Sequence, residues 1–268
     1  MRQWLSRFRQ TPQRPRVDDR APRVPPGERV YAVGDLHGRA DLLDAMDARI
    51  AADLAEQPAP ARVWRVYLGD YVDRGPDSRR VIDRLARAQR GAEPPVCLLG
   101  NHDWWFRDFL ETGQVSTAWL ASGGDATLAS YGFVDLPAFD DDRAWAQLAN
   151  RLRRRVPVDH RRFLNGLATR FARGDYLFAH AGIRPGLALD RQETRDLLFI
   201  REPFLSEPGD LGVVVVHGHT VVDEPAIRRN RIGIDTGAYW TDRLTAVVLE
   251  DDTRSEERRV GKECTLRC

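Results

Sequence analysis

Five apolar, strand-like runs in this chain each end in glycine, histidine, asparagine or aspartate, and a chain punctuated in this way has few ways to fold. Arg29 to Val33 runs into Gly34-Asp35-Leu36-His37-Gly38, and Val63 to Leu68 runs into Gly69-Asp70-Tyr71-Val72-Asp73-Arg74-Gly75. Pro95 to Leu99 runs into Gly100-Asn101-His102-Asp103, Tyr176 to Ala179 into His180-Ala181-Gly182, and Val213 to Val216 into His217-Gly218-His219-Thr220. One Gly-Asp pair after a strand is an ordinary turn. Here five of the chain's 6 histidines stand at such termini, and only His160 lies elsewhere, in an arginine-rich helical stretch that suggests a solvated or capping role. Open α/β sheets receive ligands at the carboxyl ends of their strands. The pattern therefore predicts strands that deliver their terminal side chains into one pocket, with Gly69 to Gly75 as its organising loop.

Between the strands the apolar spacing changes from two to that of a helix. Leu42, Leu43, Met46 and Ile50 give one buried face to a helix over 41–54, stopped by Pro58 and Pro60. Val81, Ile82 and Leu85 do the same for a helix over 78–89. This strand–loop–helix rhythm predicts βαβ units in the first half. From Tyr176 onward the runs Val213–Val216, Ala226–Arg228, Arg231–Ile234 and Leu244–Leu249 follow closely, which predicts antiparallel pairing. The fold class is thus α/β, with two sheets packed face to face and helices outside. The aromatic stretch Trp104, Trp105, Phe106, Phe109 and Trp119 reads as helix packing, with a wall beside the pocket as a second use. A further helix runs through Trp145 and Leu148 to Arg155, capped by Asp142 or a neighbour. Its arginines read as a solvated face because aspartates surround them.

The clustered side chains are carboxylates, amides and imidazoles with no thiolate. Asp35, His37, Asp70, Asn101, His180 and His219 form an oxygen–nitrogen set suited to manganese, iron or zinc. Six candidates exceed a tetrahedral centre, so two divalent ions are expected, with Asp70 able to bridge them. Such a pair polarises phosphoryl oxygens and brings a bridging water's pKa toward neutrality, so that hydroxide attacks phosphorus directly. No convincing serine elbow or cysteine-arginine loop competes with this reading. His102 stands beside a ligand yet is free of the metal, which makes it the candidate general acid. Asp73 would hold its other ring nitrogen, and Arg74 would fork onto the phosphoryl oxygens.

Taken together, these five motifs resemble the calcineurin-like metallophosphoesterases. More narrowly, they resemble the bacterial and phage branch of the serine/threonine phosphoprotein phosphatases (PPP family), over Arg29 to Leu249. The resemblance implies an α/β/β/α sandwich of two mixed sheets and a dinuclear site, usually loaded with Mn2+. It assigns Asp35, His37 and Asp70 to one ion, and Asp70, Asn101, His180 and His219 to the other. It also makes Arg201, in Phe199-Ile200-Arg201-Glu202, a second phosphate-binding arginine, with Arg74 and Asn101 completing that set. His219 is the ligand by family pattern, and His217 falls where an apolar residue is frequent. Asp103 departs from the Glu of many such phosphatases and matches the symmetrical dinucleoside tetraphosphatases, which usually lack the Asp73-Arg74-Gly75 pairing. The expected activity is therefore phosphoprotein hydrolysis, with dinucleoside tetraphosphate hydrolysis as the alternative. An idle phosphoprotein-recognition module is disfavoured because no ligand or acid is missing.

At 268 residues, 42% hydrophobic and net charge +1, the chain has material for a substantial core and no global signal for nucleic acid. No apolar run reaches the ~20 residues of a membrane span. Three cysteines make no disulfide framework, and Cys97 reads as a buried small hydrophobe. A cytoplasmic monomer acting on phosphorylated protein or peptide, with no nucleic acid or membrane partner, is expected. Residues 1–26, with seven arginines and five prolines, read as a flexible arm, and 27–253 as the catalytic domain. The chain's single lysine is Lys262. The segment around it, RSEERRVGKEC, resembles the translation of a sequencing-adapter oligonucleotide, so 254–268 are expected to be non-native and disordered.

Overall fold

A computed structural model describes residues 21–56 and 60–251, together with the backbone of 253–261. The first sheet grows from β1 (Glu28–Val33), buried along its whole length. Helix α1 (Ala40–Glu56) returns the chain to β2 (Arg62–Tyr67), and α2 (Ser78–Ala88) returns it to the short β3 (Val96–Cys97). β2 lies parallel to both β1 and β3, as βαβ crossovers require. The long strand β9 (Arg243–Glu250) adds antiparallel on the other side of β1.

Alternation along these strands decides the layers, because successive side chains leave a strand on opposite faces. Tyr31, Val33, Tyr67, Ala246 and Val248 face the helices, where they meet Leu43, Met46, Ile50, Val81, Ile82 and Leu85. Val30, Ala32, Val66, Leu68, Val247 and Leu249 face the other way and pack on the second sheet through Tyr176, Phe178, Val214, Val216 and Ile232. That sheet contains β4 (Arg170–Arg173), β5 (Tyr176–Ala179), β6 (Val214–His217), β7 (Ala226–Ile227) and β8 (Arg231–Gly233) in the order β4-β5-β6-β8-β7. Its outer residues Leu177, Ala179 and Val215 are covered by Leu197, Ile200 and Phe204, from α8 (Thr194–Phe199) and the segment after it. The result is a four-layer α/β/β/α sandwich. Among the described residues no helix is long and apolar enough to cross a membrane.

Five further helices, α3 (Asn101–Thr112), α4 (Thr117–Ala121), α5 (Gly124–Ser130), α6 (Asp142–Arg155) and α7 (Val158–Asn165), thicken the outer layer over the first sheet, and a short α9 (Ala238–Thr241) precedes β9. Phe106, Phe109, Trp119 and Trp145 are buried there, so most of the aromatic stretch is packing. Trp104 and Trp105 remain partly exposed. The α6 cap is Asp141, whose side chain accepts from Ala144 N–H.

Several expectations require correction. In the second sheet β5, β6 and β8 run parallel and only β4 and β7 pair antiparallel to their neighbours, whereas the run Leu244–Leu249, in β9, pairs antiparallel with β1 as expected. The sequence from Tyr176 conceals α8, which covers the outer face and lets β6 start beside β5. Parallel strands also bring their carboxyl ends to the same edge. His160 is neither solvated nor a cap. It shares the inner face of α7 with Phe163 and Leu164, three and four residues on, and its Nδ1 meets the Tyr131 hydroxyl at 2.9 Å. The arm does not extend to residue 26, because Val24 is 1% exposed in the inter-sheet core and its N–H donates to Asp251 O. Residues 1–20 lie outside the described residues. Nor is the tail wholly disordered: Thr253–Gly261 forms β10, antiparallel to β9. A polar segment can do this because an edge strand gains its backbone hydrogen bonds whatever its side chains are. Residues 262–268 lie outside the described residues.

Candidate active site

Every parallel strand of both sheets ends at one edge, and the loops there are stitched to each other by their backbones. Asp70 O accepts the N–H groups of Leu36 and His37, at 3.2 and 2.8 Å, and His180 O accepts Gly218 N–H at 2.8 Å. The Asp103 carboxylate accepts from Asp70, Tyr71 and Gly100 N–H at 2.8–3.0 Å, which ties the β2 loop to the β3 loop. His37, Asp70, Asp73, Arg74 and His219 all adopt left-handed φ between 41° and 74°. Non-glycine residues hold this region only where the surroundings over-determine it, and such residues gather at functional sites. Two loop glycines are needed for contact. A Cβ at Gly100 would overlap Asp70 Oδ1, and one at Gly218 would overlap Asp35 Oδ1.

The ligand candidates converge. Ligand atoms of Asp70, His180 and His219 lie within 4.8 Å of one another, as do those of His37, Asp70 and His102. Asp70 therefore belongs to both groups. His180 Nε2 is 2.9 Å from Asn101 Oδ1, and His219 N–H donates to Asp35 Oδ2 at 3.0 Å, which brings in the remaining two. His37 Nδ1 meets Val72 O at 2.8 Å and His180 Nδ1 meets Leu68 O at 2.9 Å. A carbonyl can only accept, so each Nδ1 carries the hydrogen and each Nε2 presents a bare lone pair. Burial pushes the pKa of His37 and His180 down, and that of His219 to about 2, so the imidazoles are neutral as metal ligation requires. Two buried atoms of the cluster, Asp35 Oδ1 and His219 Nε2, have no hydrogen-bond partner. Orphaned buried acceptors of this kind are costly, and a divalent ion would satisfy both. Burial, reinforced by Asp235 and Asp70, raises the Asp35 carboxyl, so this crowd of acids calls for a cation. The residues fit a metal centre.

His102 stands differently. Its Nδ1 is 2.7 Å from Asp73 Oδ2. Burial alone would lower its pKa, but Asp70 and Asp73 outweigh burial and raise it. Arg74 reaches across the site, with Nη1 3.0 Å from His37 Nε2 and Nη2 3.4 Å from His102 Nε2. Arg201 lies at the rim, exposed, and donates to His219 O at 3.4 Å. His217 is turned away from the cluster. Its ring packs on Phe204 and its Nδ1 meets Gly218 O at 3.0 Å.

Three residues near the site, Asp235, Tyr239 and Thr127, escaped the sequence reading, and Trp119, read there as packing or a wall, is also a partner of Asp73. Asp235 is buried beside Asp35, and burial pushes its carboxyl up to about 6. It follows β8 as the ligands follow their strands, so the same strand-end pattern could have found it, although no histidine marks it. Tyr239 lies edge-on to His37 and under the Arg74 guanidinium, 4.7 Å from its centre. Trp119 and Thr127 hold Asp73 from 46 and 54 residues away, and nothing local announces that.

A buried Asp/His/Asn cluster with a carboxylate-held histidine and arginines at its rim, set at the strand ends of an α/β/β/α sandwich, defines a metal-dependent phosphoester hydrolase. The comparisons agree: residues 28–242 match the model of the calcineurin-like phosphoesterases, and the chain belongs to that family. It is 29% identical to a serine/threonine-protein phosphatase 1 from Salmonella typhimurium, over 82% of this chain and 92% of that one. It is 27% identical to a symmetrical bis(5'-nucleosyl)-tetraphosphatase from Xanthomonas campestris pv. campestris, over 88% and 84%. Among solved structures, one described as a candidate diadenosine tetraphosphatase superposes with a TM-score of 0.59 at 21% identity, covering 91% of this chain and 99% of that one. The last of these speaks for the fold alone.

Two outcomes follow from the geometry. Gly218→Ala forces Asp35 Oδ1 aside, so divalent-ion affinity measured by calorimetry should fall by at least about 10-fold while the protein stays folded. Unchanged affinity would remove Asp35 from the centre. The second concerns His217, which burial lowers to about 4. An unfolded histidine titrates near ~6.5, so between there and about 4 the unfolded chain takes up a proton that the folded ring refuses. The metal-free protein should therefore lose stability as pH falls through this window, by on the order of 3 kcal/mol at most from this residue. His217→Gln should flatten that part of the curve in urea unfolding, and an unaltered slope would contradict the burial argument.

Proposed function

We propose that the chain is a phosphoprotein phosphatase that hydrolyses phosphoserine and phosphothreonine monoesters. The reading is carried by His102, whose Nδ1 is fixed on Asp73 while its Nε2 stands 3.4 Å from Arg74 Nη2 and 3.9 Å from Asp70 Oδ2. Asp35, His37 and Asp70 would hold one divalent ion, and Asp70, Asn101, His180 and His219 the other. When bound, the ions, Mn2+ in our reading, supply Lewis-acid charge to the phosphoryl group and acidify water.

The chain's own side chains supply the rest. Arg74 gives a planar pair of N–H donors suited to two phosphoryl oxygens, and Arg201 can approach from the rim with a second fork. Asn101 lies beside His180, where its amide can meet the same oxygens. A serine or threonine alkoxide is a poor leaving group and needs a proton as the P–O bond breaks. His102 holds that proton at Nε2. Asp73 keeps the ring oriented and favours its cationic form. The half-buried Trp105 packs edge-on against the His102 ring and limits water at that side.

Support for a phosphoprotein substrate is the near full-length similarity to a serine/threonine phosphatase and the Asp73-Arg74-Gly75 pairing. A second reading, symmetrical dinucleoside tetraphosphate hydrolysis, is supported by Asp103 and by the equally extensive similarity to tetraphosphatases. Steady-state kinetics with Mn2+ separates them. We expect kcat/KM for a phosphoserine peptide to exceed that for diadenosine tetraphosphate by about 10-fold or more, and chelation to abolish turnover. A preference for the dinucleotide would establish the second reading in place of the first.

A further inference from the structure

Helices α4 and α5 supply no metal ligand, yet they take hold of the Asp73-Arg74 segment from behind. Gly123 O accepts Arg74 N–H at 3.1 Å. Thr127 Oγ1 accepts Asp73 N–H at 2.7 Å and donates to Asp73 Oδ1 at 2.5 Å. The indole N–H of Trp119 donates to Asp73 Oδ2 at 2.8 Å, the same oxygen that meets His102 Nδ1 at 2.7 Å. All four side chains are buried, with Asp73, Trp119 and Thr127 wholly so.

A buried tryptophan with a satisfied N–H is ordinary packing, and most such groups meet a backbone carbonyl. Here the donor is committed to the carboxylate that orients the candidate acid. The indole is also held firmly in place. Phe109 and Phe106 lie at 5.1 and 6.1 Å between ring centres, and a Cβ on Gly124 would run into its rings. Asp73 and Arg74 adopt φ of 74° and 66°, a backbone that persists only where neighbours over-determine it.

We propose that Trp119 is a positioning residue for proton transfer: its indole N–H fixes Asp73 Oδ2, and through that oxygen it aims His102 Nε2 at the leaving group. The inference rests on the role given to His102 above. Loss of this one hydrogen bond lets the carboxylate and the imidazole shift together, so proton delivery suffers while phosphate binding does not. The penalty falls on substrates whose leaving group needs the proton. A nitrophenolate departs without help, but an alkoxide does not.

The test replaces Trp119 in the full-length protein by benzothienylalanine, which keeps ring size and shape but exchanges the N–H for sulfur, with Trp119→Phe as a second variant. Turnover is measured with Mn2+ across phosphate monoesters from p-nitrophenyl to simple alkyl leaving groups, alongside bound-metal content. The expected result is kcat within about 2-fold of the parent for p-nitrophenyl phosphate and a loss of about 10-fold for alkyl phosphates, with KM and metal content unchanged. A uniform loss across the series, or none, overturns the proposal, because a purely structural role would not discriminate between leaving groups. His102→Asn serves as the reference. If it fails to steepen the leaving-group dependence, the acid role falls and Trp119 falls with it. If it steepens the dependence and the benzothienyl variant does not, only the Trp119 inference is lost.

Discussion

The cost of burying acid next to acid governs this molecule. Asp35, Asp70, Asp73, Asp103 and Asp235 are each at most 2% exposed, all around one strand-end edge. A carboxylate removed from water without compensation is unaffordable for a fold with marginal net stability. Each of these groups is matched differently. Asp103 is answered by three backbone N–H donors, and Asp73 by an indole, a hydroxyl and an imidazole. Asp70 is ringed by imidazoles and receives His102 N–H on Oδ1. Asp35 retains an oxygen with no partner at all. The imbalance at Asp35 and Asp70 is where positive charge belongs, and that demand links the architecture to the chemistry.

The sandwich makes the demand tolerable. Each sheet is a platform whose inner face is apolar, and the buried carboxylates of the site stand on the loops beyond its carboxyl edge. Because the loops share hydrogen bonds across the two sheets, as between Asp35 on the first and His219 on the second, the site is also a clasp between the layers. Left-handed backbone at five site residues shows that the clasp is held against local preference.

Much of this could be read in the sequence, for a definite reason. Side chains that converge from strand ends leave a local mark, an apolar run followed by glycine and a polar residue, and five such marks in order specified both the sheet edge and the cluster. What depends on distance left no mark. The parallel course of β5, β6 and β8 followed from α8, a helix of 6 residues too short for periodicity to reveal. His160 looked solvated because arginines flank it, although its spacing to Phe163 and Leu164 places it inside. Trp119 and Thr127 meet Asp73 only after three helices have folded over the first sheet. Asp235 obeyed the strand-end rule but lacked the histidine that drew attention to the others.

The central claim is that side chains from both sheets form one centre for two cations about Asp70. Crystals grown with Mn2+ and measured at the manganese edge test it directly. Two anomalous peaks, both contacting Asp70, with His37 on one and His180 and His219 on the other, are the predicted result. No peak at the strand ends, or a single ion held away from Asp70, would contradict the account.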